Sequence, residues 1–86
     1  MVSRELTVNN PSGLHARPAT MLVKKASSFY SEVYIEFKGK KANVKSLIGV
    51  LSLGITKGSP IIIQANGTDE KEAVDELYDL ICSLEQ

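Results

Sequence analysis

The sequence contains no tryptophan, one histidine and one cysteine in 86 residues. A single cysteine, Cys82, excludes an internal disulfide, and a small domain without disulfides is typical of a reducing compartment. One histidine and one cysteine are also too few ligands to build a zinc site. We therefore expect a cytoplasmic protein that holds neither a metal nor a cofactor.

Long apolar runs are missing as well. The longest apolar stretch, residues 47–55, is interrupted by Gly49, Ser52 and Gly54, whereas a membrane span needs about 20 consecutive apolar residues. The N-terminus lacks the apolar segment of a signal peptide. We expect neither export nor membrane insertion, and the length predicts one domain over residues 1–86, most simply a monomer.

The charges balance to zero, which argues against a general affinity for nucleic acid. They are distributed unevenly, because residues 1–57 hold nine of the ten basic side chains and only three acids. One surface should therefore present positive charge to acidic partners or to phosphate. A nucleic-acid binder built on the hairpin 38–41 would need stacking aromatic side chains, and Phe37 alone stands beside that tip.

Apolar periodicity predicts seven elements. Alternation predicts strands over residues 2–8, 32–37, 40–44 and 61–65. Helical spacing predicts helices from Ala16 to about Ser27, over 47–53, and up to about Leu84, the last with Thr68 or Asp69 as its N-cap. The order βαββαβα predicts an α+β open-faced sandwich, in which three helices cover one face of a four-stranded antiparallel sheet.

The segment from Gly13 to Ala19 carries the clearest chemistry. His15 lies at a helix start, where free backbone N–H groups and the helix dipole favour a neutral ring and stabilise an attached phosphoryl group. Arg17 offers a planar guanidinium suited to phosphate oxygens, and Pro18 is tolerated in the first turn. A lone histidine in this position is often only a surface residue or an imperfect cap, so position alone leaves both interpretations open.

A second candidate, Ser46, precedes the short apolar helix. A serine in this place usually serves as N-cap, but a phosphate there would also be stabilised by the helix dipole, so the two roles are compatible. The helix carries more apolar residues than one buried stripe accommodates: Leu47, Ile48, Val50, Leu51 and Leu53. Some of them should face outward, although all could belong to the core.

Two motifs carry a family resemblance. The run Gly-Leu-His-Ala-Arg-Pro-Ala at 13–19 resembles the active-site signature of HPr, the phosphocarrier protein of the bacterial phosphoenolpyruvate-dependent sugar phosphotransferase system. The run Lys-Ser-Leu-Ile-Gly-Val-Leu at 45–51 is similar to the regulatory helix of the Gram-positive members, where Lys-Ser-Ile-Met-Gly-Val-Met is usual. The resemblance covers essentially the whole chain and implies the HPr-like form of the sandwich.

The resemblance implies a relay in which this protein is a covalent intermediate and not an independent enzyme. His15 would accept a phosphoryl group on Nδ1 from phosphorylated enzyme I and pass it to sugar-specific A domains, with Arg17 steadying the phosphate. HPr kinase/phosphorylase would modify Ser46 with ATP, and a catabolite-control repressor would be a further partner. It also implies partner contacts at Ala16, Thr20, Lys24, Leu47, Ile48 and Leu51.

A different class of function stays open: a regulatory binding protein that acts through phospho-Ser46 as a corepressor and carries no phosphoryl group. A relative of HPr with that role has glutamine at the position of His15. The histidine in this chain therefore favours the carrier without excluding the regulatory use.

Overall fold

The computed structural model describes residues 1–84, which form four strands and three helices. The strands are β1 (Val2–Thr7), β2 (Glu32–Phe37), β3 (Lys40–Asn43) and β4 (Pro60–Asn66). The helices are α1 (Ala16–Ala26), α2 (Leu47–Ser52) and α3 (Glu70–Ser83). The order βαββαβα is the one that the sequence predicts. Within residues 1–84, no helix is long and apolar enough to cross a membrane.

The strands form one antiparallel sheet in the order β1-β4-β2-β3. Strand β4, the most apolar, lies between β1 and β2, and its residues Ile61, Ile63 and Ala65 point into the core. Their neighbours Ile62 and Gln64 face the other way and are only half-buried. This alternation is expected when helices cover one face of a sheet and solvent meets the other.

The hairpin between β2 and β3 turns in two residues. Phe37 pairs with Lys40, and the two residues between them, Lys38 and Gly39, both have positive φ, at 52° and 79°. A two-residue turn with positive φ at both positions follows the right-handed twist of the strands. The predicted tight turn is confirmed.

The three helices bury different amounts of apolar surface. The longer two each bury a stripe against the sheet or one another: Ala19, Leu22 and Ala26 in α1, and Ala73, Val74, Leu77 and Ile81 in α3. Helix α2 buries only Val50, while Leu47, Ile48 and Leu51 are exposed, Ile48 to 81%. The expectation that some apolar residues of α2 face outward is confirmed.

Some predicted boundaries were wrong by one or two residues. Val8 lies outside β1 although it is fully buried, because its N–H and C=O bond to the 58–59 loop. Val44 likewise leaves β3 but donates to the carbonyl of Val33 at 2.9 Å. Leu53 is the C-cap of α2 and Ser27 that of α1. At Val8 and Val44 apolar burial continues past the end of the strand, so the hydrophobic pattern alone extends the strand too far.

Asp69 stands at the predicted N-cap position of α3, but its side chain does not cap the helix. Its carboxylate accepts hydrogen bonds from the backbone N–H groups of Tyr30 and Ser31, both at 2.9 Å, and from the Ser31 hydroxyl at 2.5 Å. Asp69 is therefore the N-cap by position, as the sequence predicts, but the expected side-chain capping bond is not formed. Asp69 instead ties the start of α3 to the turn that enters β2.

Replacing Asp69 by asparagine tests this contact. The Ser31 hydroxyl and then the Tyr30 amide hold the pKa of Asp69 below its usual value. A lowered folded-state pKa stabilises the fold above the unfolded pKa of about 3.9, and that stability is lost as pH falls through the folded pKa. Asp69→Asn should therefore lower the melting temperature at pH 7, and the difference from wild type should shrink as pH falls below about 3.9 and through the lowered folded-state pKa.

Asp79→Asn is the matched control, because Asp79 is an exposed aspartate on the same helix. Thermal melts of all three proteins between pH 2 and pH 7 give the comparison. An equal loss in both variants, or a loss in Asp69→Asn that does not depend on pH, would contradict the assignment.

Candidate functional site

The turn before α1 is fixed by hydrogen bonds within the turn and by contact with the segment that follows α2. Gly13 donates to the carbonyl of Asn10 at 3.0 Å, and the buried Asn10 side chain donates back to the Gly13 carbonyl. The next residue, Leu14, is buried and donates its N–H to the carbonyl of Ile55 at 3.0 Å. Hydrogen bonds with Asn10 and with Ile55 therefore fix the backbone that leads into His15.

His15 occupies the N-cap position of α1 with an extended backbone, φ −82° and ψ −167°. Its carbonyl accepts the first helical hydrogen bond, from Ala19 at 2.9 Å, but its side chain makes no capping bond and is exposed. Because Ala19 makes that first bond, the missing N–H of Pro18 costs the helix nothing. The imidazole therefore lies at the helix start without capping the helix.

An open depression surrounds the imidazole. Its lining residues come from the turn and the first two turns of α1: Ser12, His15, Ala16, Arg17, Thr20 and Met21. The Thr20 hydroxyl donates to the Ala16 carbonyl at 2.7 Å. The hydroxyl oxygen of Thr20 can still accept a hydrogen bond from another group. The structure thus brings together four of the predicted residues, His15, Ala16, Arg17 and Thr20.

The charges around this depression suit an anion. The first turn of α1 contains no acidic residue, and its N-terminal backbone N–H groups carry the positive end of the helix dipole. Arg17 lines the same depression, and Lys24 lies one turn beyond Thr20 on the exposed side of the helix. A helix N-terminus with a nearby guanidinium is a favourable place for phosphate oxygens.

Ser46 is the N-cap of α2, as predicted. Its Oγ accepts from the Gly49 N–H at 3.1 Å and its carbonyl accepts from Val50 at 3.0 Å. The side chain is exposed, so the hydroxyl can be reached from solvent. Leu47, Ile48 and Leu51 expose their apolar side chains on the following helix.

The two candidate sites lie at different ends of the packed pair α1 and α2. The chain that leaves α2 reaches the His15 turn, where Ile55 accepts from Leu14. At the start of α2, Lys45 Nζ donates to the carbonyl of Phe29, beyond the C-terminus of α1, at 2.8 Å. The Lys45 ammonium group is therefore held beyond the C-terminal end of α1, away from His15.

Sequence reasoning missed two residues of the depression, Ser12 and Met21. Met21 could have been found, because it lies four residues after Arg17 and off the stripe of Ala19, Leu22 and Ala26. An apolar residue in that position faces solvent. Ser12 has no comparable signal, since a serine in a turn is ordinary and only the fold brings it to His15.

The open α+β sandwich thus presents an exposed histidine at a helix start whose charges are compatible with phosphate. The family model for the HPr component phosphorylation site of the phosphotransferase system matches residues 2–83. The chain belongs to the HPr family.

Solved structures agree with this assignment. HPr from Thermoanaerobacter tengcongensis is 43% identical over 96% of this chain and 93% of its own, with a TM-score of 0.94. Phosphocarrier protein HPr from Bacillus anthracis is 39% identical over 92% and 94%, with a TM-score of 0.89. Crh from Bacillus subtilis, a catabolite repression protein solved as a domain-swapped dimer, is 37% identical over 100% and 99%, with a TM-score of 0.78.

Substituting Gly13 tests how the turn positions His15. Gly13 has φ +64°, and an added Cβ would lie 2.4 Å from the Ile55 carbonyl oxygen and 2.7 Å from Thr56 Cα. Gly58 has φ +86° with open space around it. Gly58→Ala should cost about 1–2 kcal/mol for the left-handed backbone alone, and Gly13→Ala should cost more because the two chain segments must separate.

Urea denaturation measures both costs, and the NMR signals of the single imidazole report the position of His15. We expect those signals to move in Gly13→Ala and to stay in place in Gly58→Ala. If both variants lose the same free energy of unfolding and the imidazole signals do not move, the close approach of Gly13 to Ile55 does not position His15.

Proposed function

We propose that this protein is a phosphoryl carrier of the sugar phosphotransferase system. A ring nitrogen of His15, Nδ1 by family resemblance, takes the phosphoryl group from phosphorylated enzyme I, which phosphoenolpyruvate has charged, and then gives it to sugar-specific A domains. The observation that carries the proposal is the exposed imidazole at the start of α1, with no capping bond and with Arg17 in the same depression. Such a protein works in the cytoplasm as a single domain and turns over no substrate alone.

The residues around His15 have different roles in holding the phosphoryl group. The backbone N–H groups at the start of α1 face the transferred group with the positive end of the helix dipole, which favours the phosphohistidine. The guanidinium of Arg17 adds charge-assisted hydrogen bonds to phosphate oxygens. Pro18 keeps the first turn in helical geometry without a main-chain donor. No acid in that turn repels the group.

Phosphoryl transfer to purified protein tests the carrier role. With phosphoenolpyruvate and enzyme I, intact mass should show one added phosphate that is lost in acid, and His15→Ala should show none. A charge-assisted hydrogen bond contributes about 1.5–3 kcal/mol, so Arg17→Ala should slow transfer by about tenfold or more.

Arg4→Ala is the control for Arg17, because Arg4 is an exposed arginine that stacks on Tyr78 at 3.7 Å and lies on β1, away from the depression. It should transfer at the wild-type rate. Folded protein that stays unmodified beside an active enzyme I would refute the carrier role.

For Ser46, the proposal is regulation by ATP-dependent phosphorylation. HPr kinase/phosphorylase is the partner that the family resemblance suggests. A phosphoserine at the N-cap keeps a favourable place relative to the helix dipole, so the fold tolerates it. It adds about two negative charges beside Ile48, whose apolar side chain is exposed for docking. An acidic partner would then be repelled, and charging of His15 would slow.

Ser46→Asp tests this regulation with a single added negative charge. We expect it to slow charging by enzyme I about threefold to tenfold at low ionic strength, and less in high salt because salt screens exposed charges. Thr68→Asp is the control, since Thr68 is exposed and precedes the start of a different helix, α3. Equal rates in both variants at every salt concentration would contradict the docking role of α2.

The second candidate function is that of a corepressor, in which phospho-Ser46 protein binds a catabolite-control repressor. Similarity to Crh over the full chain favours it. The presence of His15 favours the carrier as the principal role. For the oligomeric state we propose a monomer, whereas Crh was solved as a swapped dimer.

A further inference from the structure

Met21 exposes a thioether side chain beside His15. The chain has two methionines, Met1 and Met21, and Met21 lies on α1 with 43% of its surface exposed. It lines the depression that surrounds the imidazole. A small oxidant in solution can therefore reach this side chain next to the residue that is proposed to carry the phosphoryl group.

Met21 also lies one helical turn after Arg17 on the same helix. Side chains at positions i and i+4 share a face of a helix, with their Cβ atoms about 5–6 Å apart. Long side chains in a helix also lean toward its N-terminus. Met21 therefore leans over the turn that holds Arg17, and both side chains line the same depression. A new polar atom on Met21 would enter the space that the guanidinium occupies.

Methionine differs from the other apolar residues in its reaction with hydroperoxides. A sulfur lone pair attacks the terminal peroxide oxygen and the O–O bond breaks. The proton of the attacked oxygen passes to the departing oxygen, which leaves as an alcohol, or as water when the oxidant is hydrogen peroxide. The sulfur loses two electrons and the peroxide gains them. The product, methionine sulfoxide, is polar and chiral, and methionine sulfoxide reductases return it to the thioether.

We propose that Met21 is an oxidation site through which hydroperoxides slow phosphoryl transfer at His15. The inference rests on the proposed carrier function. A thioether sulfur accepts hydrogen bonds only weakly, whereas a sulfoxide oxygen is a strong acceptor. That oxygen competes with the phosphate oxygens for the N–H donors of Arg17. Oxidation therefore weakens the support that Arg17 gives to the phosphoryl group, and reduction of the sulfoxide restores it.

Hydrogen peroxide is the probe that tests the proposal, and two other exposed residues react with it, Cys82 and Met1. Cys82→Ser removes the thiol, so every comparison uses this background. Met21→Leu keeps Met1, so the treated Met21→Leu protein reports the effect of oxidation at Met1 alone. Each protein is freed of peroxide before enzyme I is added, and peptide masses identify the sulfur that has gained an oxygen.

Each treated protein is compared with its own untreated sample in charging by enzyme I. In the Cys82→Ser protein, oxidation should lower kcat by about twofold to tenfold with KM nearly unchanged, because the phosphoryl group must displace one hydrogen bond of Arg17. A methionine sulfoxide reductase should restore the rate. Treatment should leave Met21→Leu at its own untreated rate. In Arg17→Ala, oxidation should change the rate less than about twofold, since the guanidinium is absent.

NMR gives a measurement that does not depend on transfer. Arg4 and Arg17 are the two arginines of the chain, and Arg4 lies on β1, where it stacks on Tyr78 at 3.7 Å. Oxidation should move the Nε–H signal of Arg17 and leave the signal of Arg4 in place. Thermal melts of the treated samples establish that the protein stays folded.

Four outcomes would overturn the proposal. Fully oxidised Met21 with an unchanged rate shows that the sulfoxide does not affect the carrier. An equal loss in Arg17→Ala shows that the sulfoxide does not act through the guanidinium. Reaction at Met1 without reaction at Met21 shows that the oxidant does not reach the side chain. In these three cases the untreated protein is charged normally and the carrier function stands. If the untreated protein accepts no phosphoryl group, the carrier function itself fails, and the proposal fails with it.

Discussion

The candidate site depends on one close contact between two backbones. The turn that precedes α1 lies against the segment that follows α2, where Leu14 donates to Ile55 and Gly13 leaves no space for a side chain. That contact fixes the point at which the chain enters α1, and the buried stripe of α1 then sets the direction of the helix. Since His15 is the first residue after the contact, its exposure is a consequence of this packing and not of the helix alone.

The same contact joins the segments that carry the two candidate residues, His15 and Ser46. Helix α2 begins at Ser46 and the chain leaving it ends against the His15 turn. The helix is short and buries only Val50, so a charge at Ser46 meets an exposed apolar surface and not a rigid core. We therefore place its effect in the docking surface that partners share, which requires no conformational change at His15.

Most of the fold was predictable because apolar alternation and helical spacing are strong in this chain. Strand β2 alternates cleanly at Val33, Ile35 and Phe37, and each of these is buried. The position of Asp69 was predictable but its bonds were not, because its partners lie about 38 residues earlier in sequence. The hydrogen bond from Lys45 to the Phe29 carbonyl was not predictable from sequence either, because it depends on tertiary packing. The depression at His15 followed from its motif, whereas Ser12 enters it only through the fold.

A carrier must bind its donor and acceptor and also leave both, so its contacts cannot be strong in every charge state. The described surface suits this requirement, because few large apolar side chains of α1 and α2 are exposed: Met21, Leu47, Ile48 and Leu51. Basic side chains beside them speed encounter with acidic partners. A transferred phosphoryl group reduces that same attraction by adding negative charge at the centre of the surface. In the proposed function, phosphoryl transfer and partner release would therefore be coupled through electrostatics, without a change of fold.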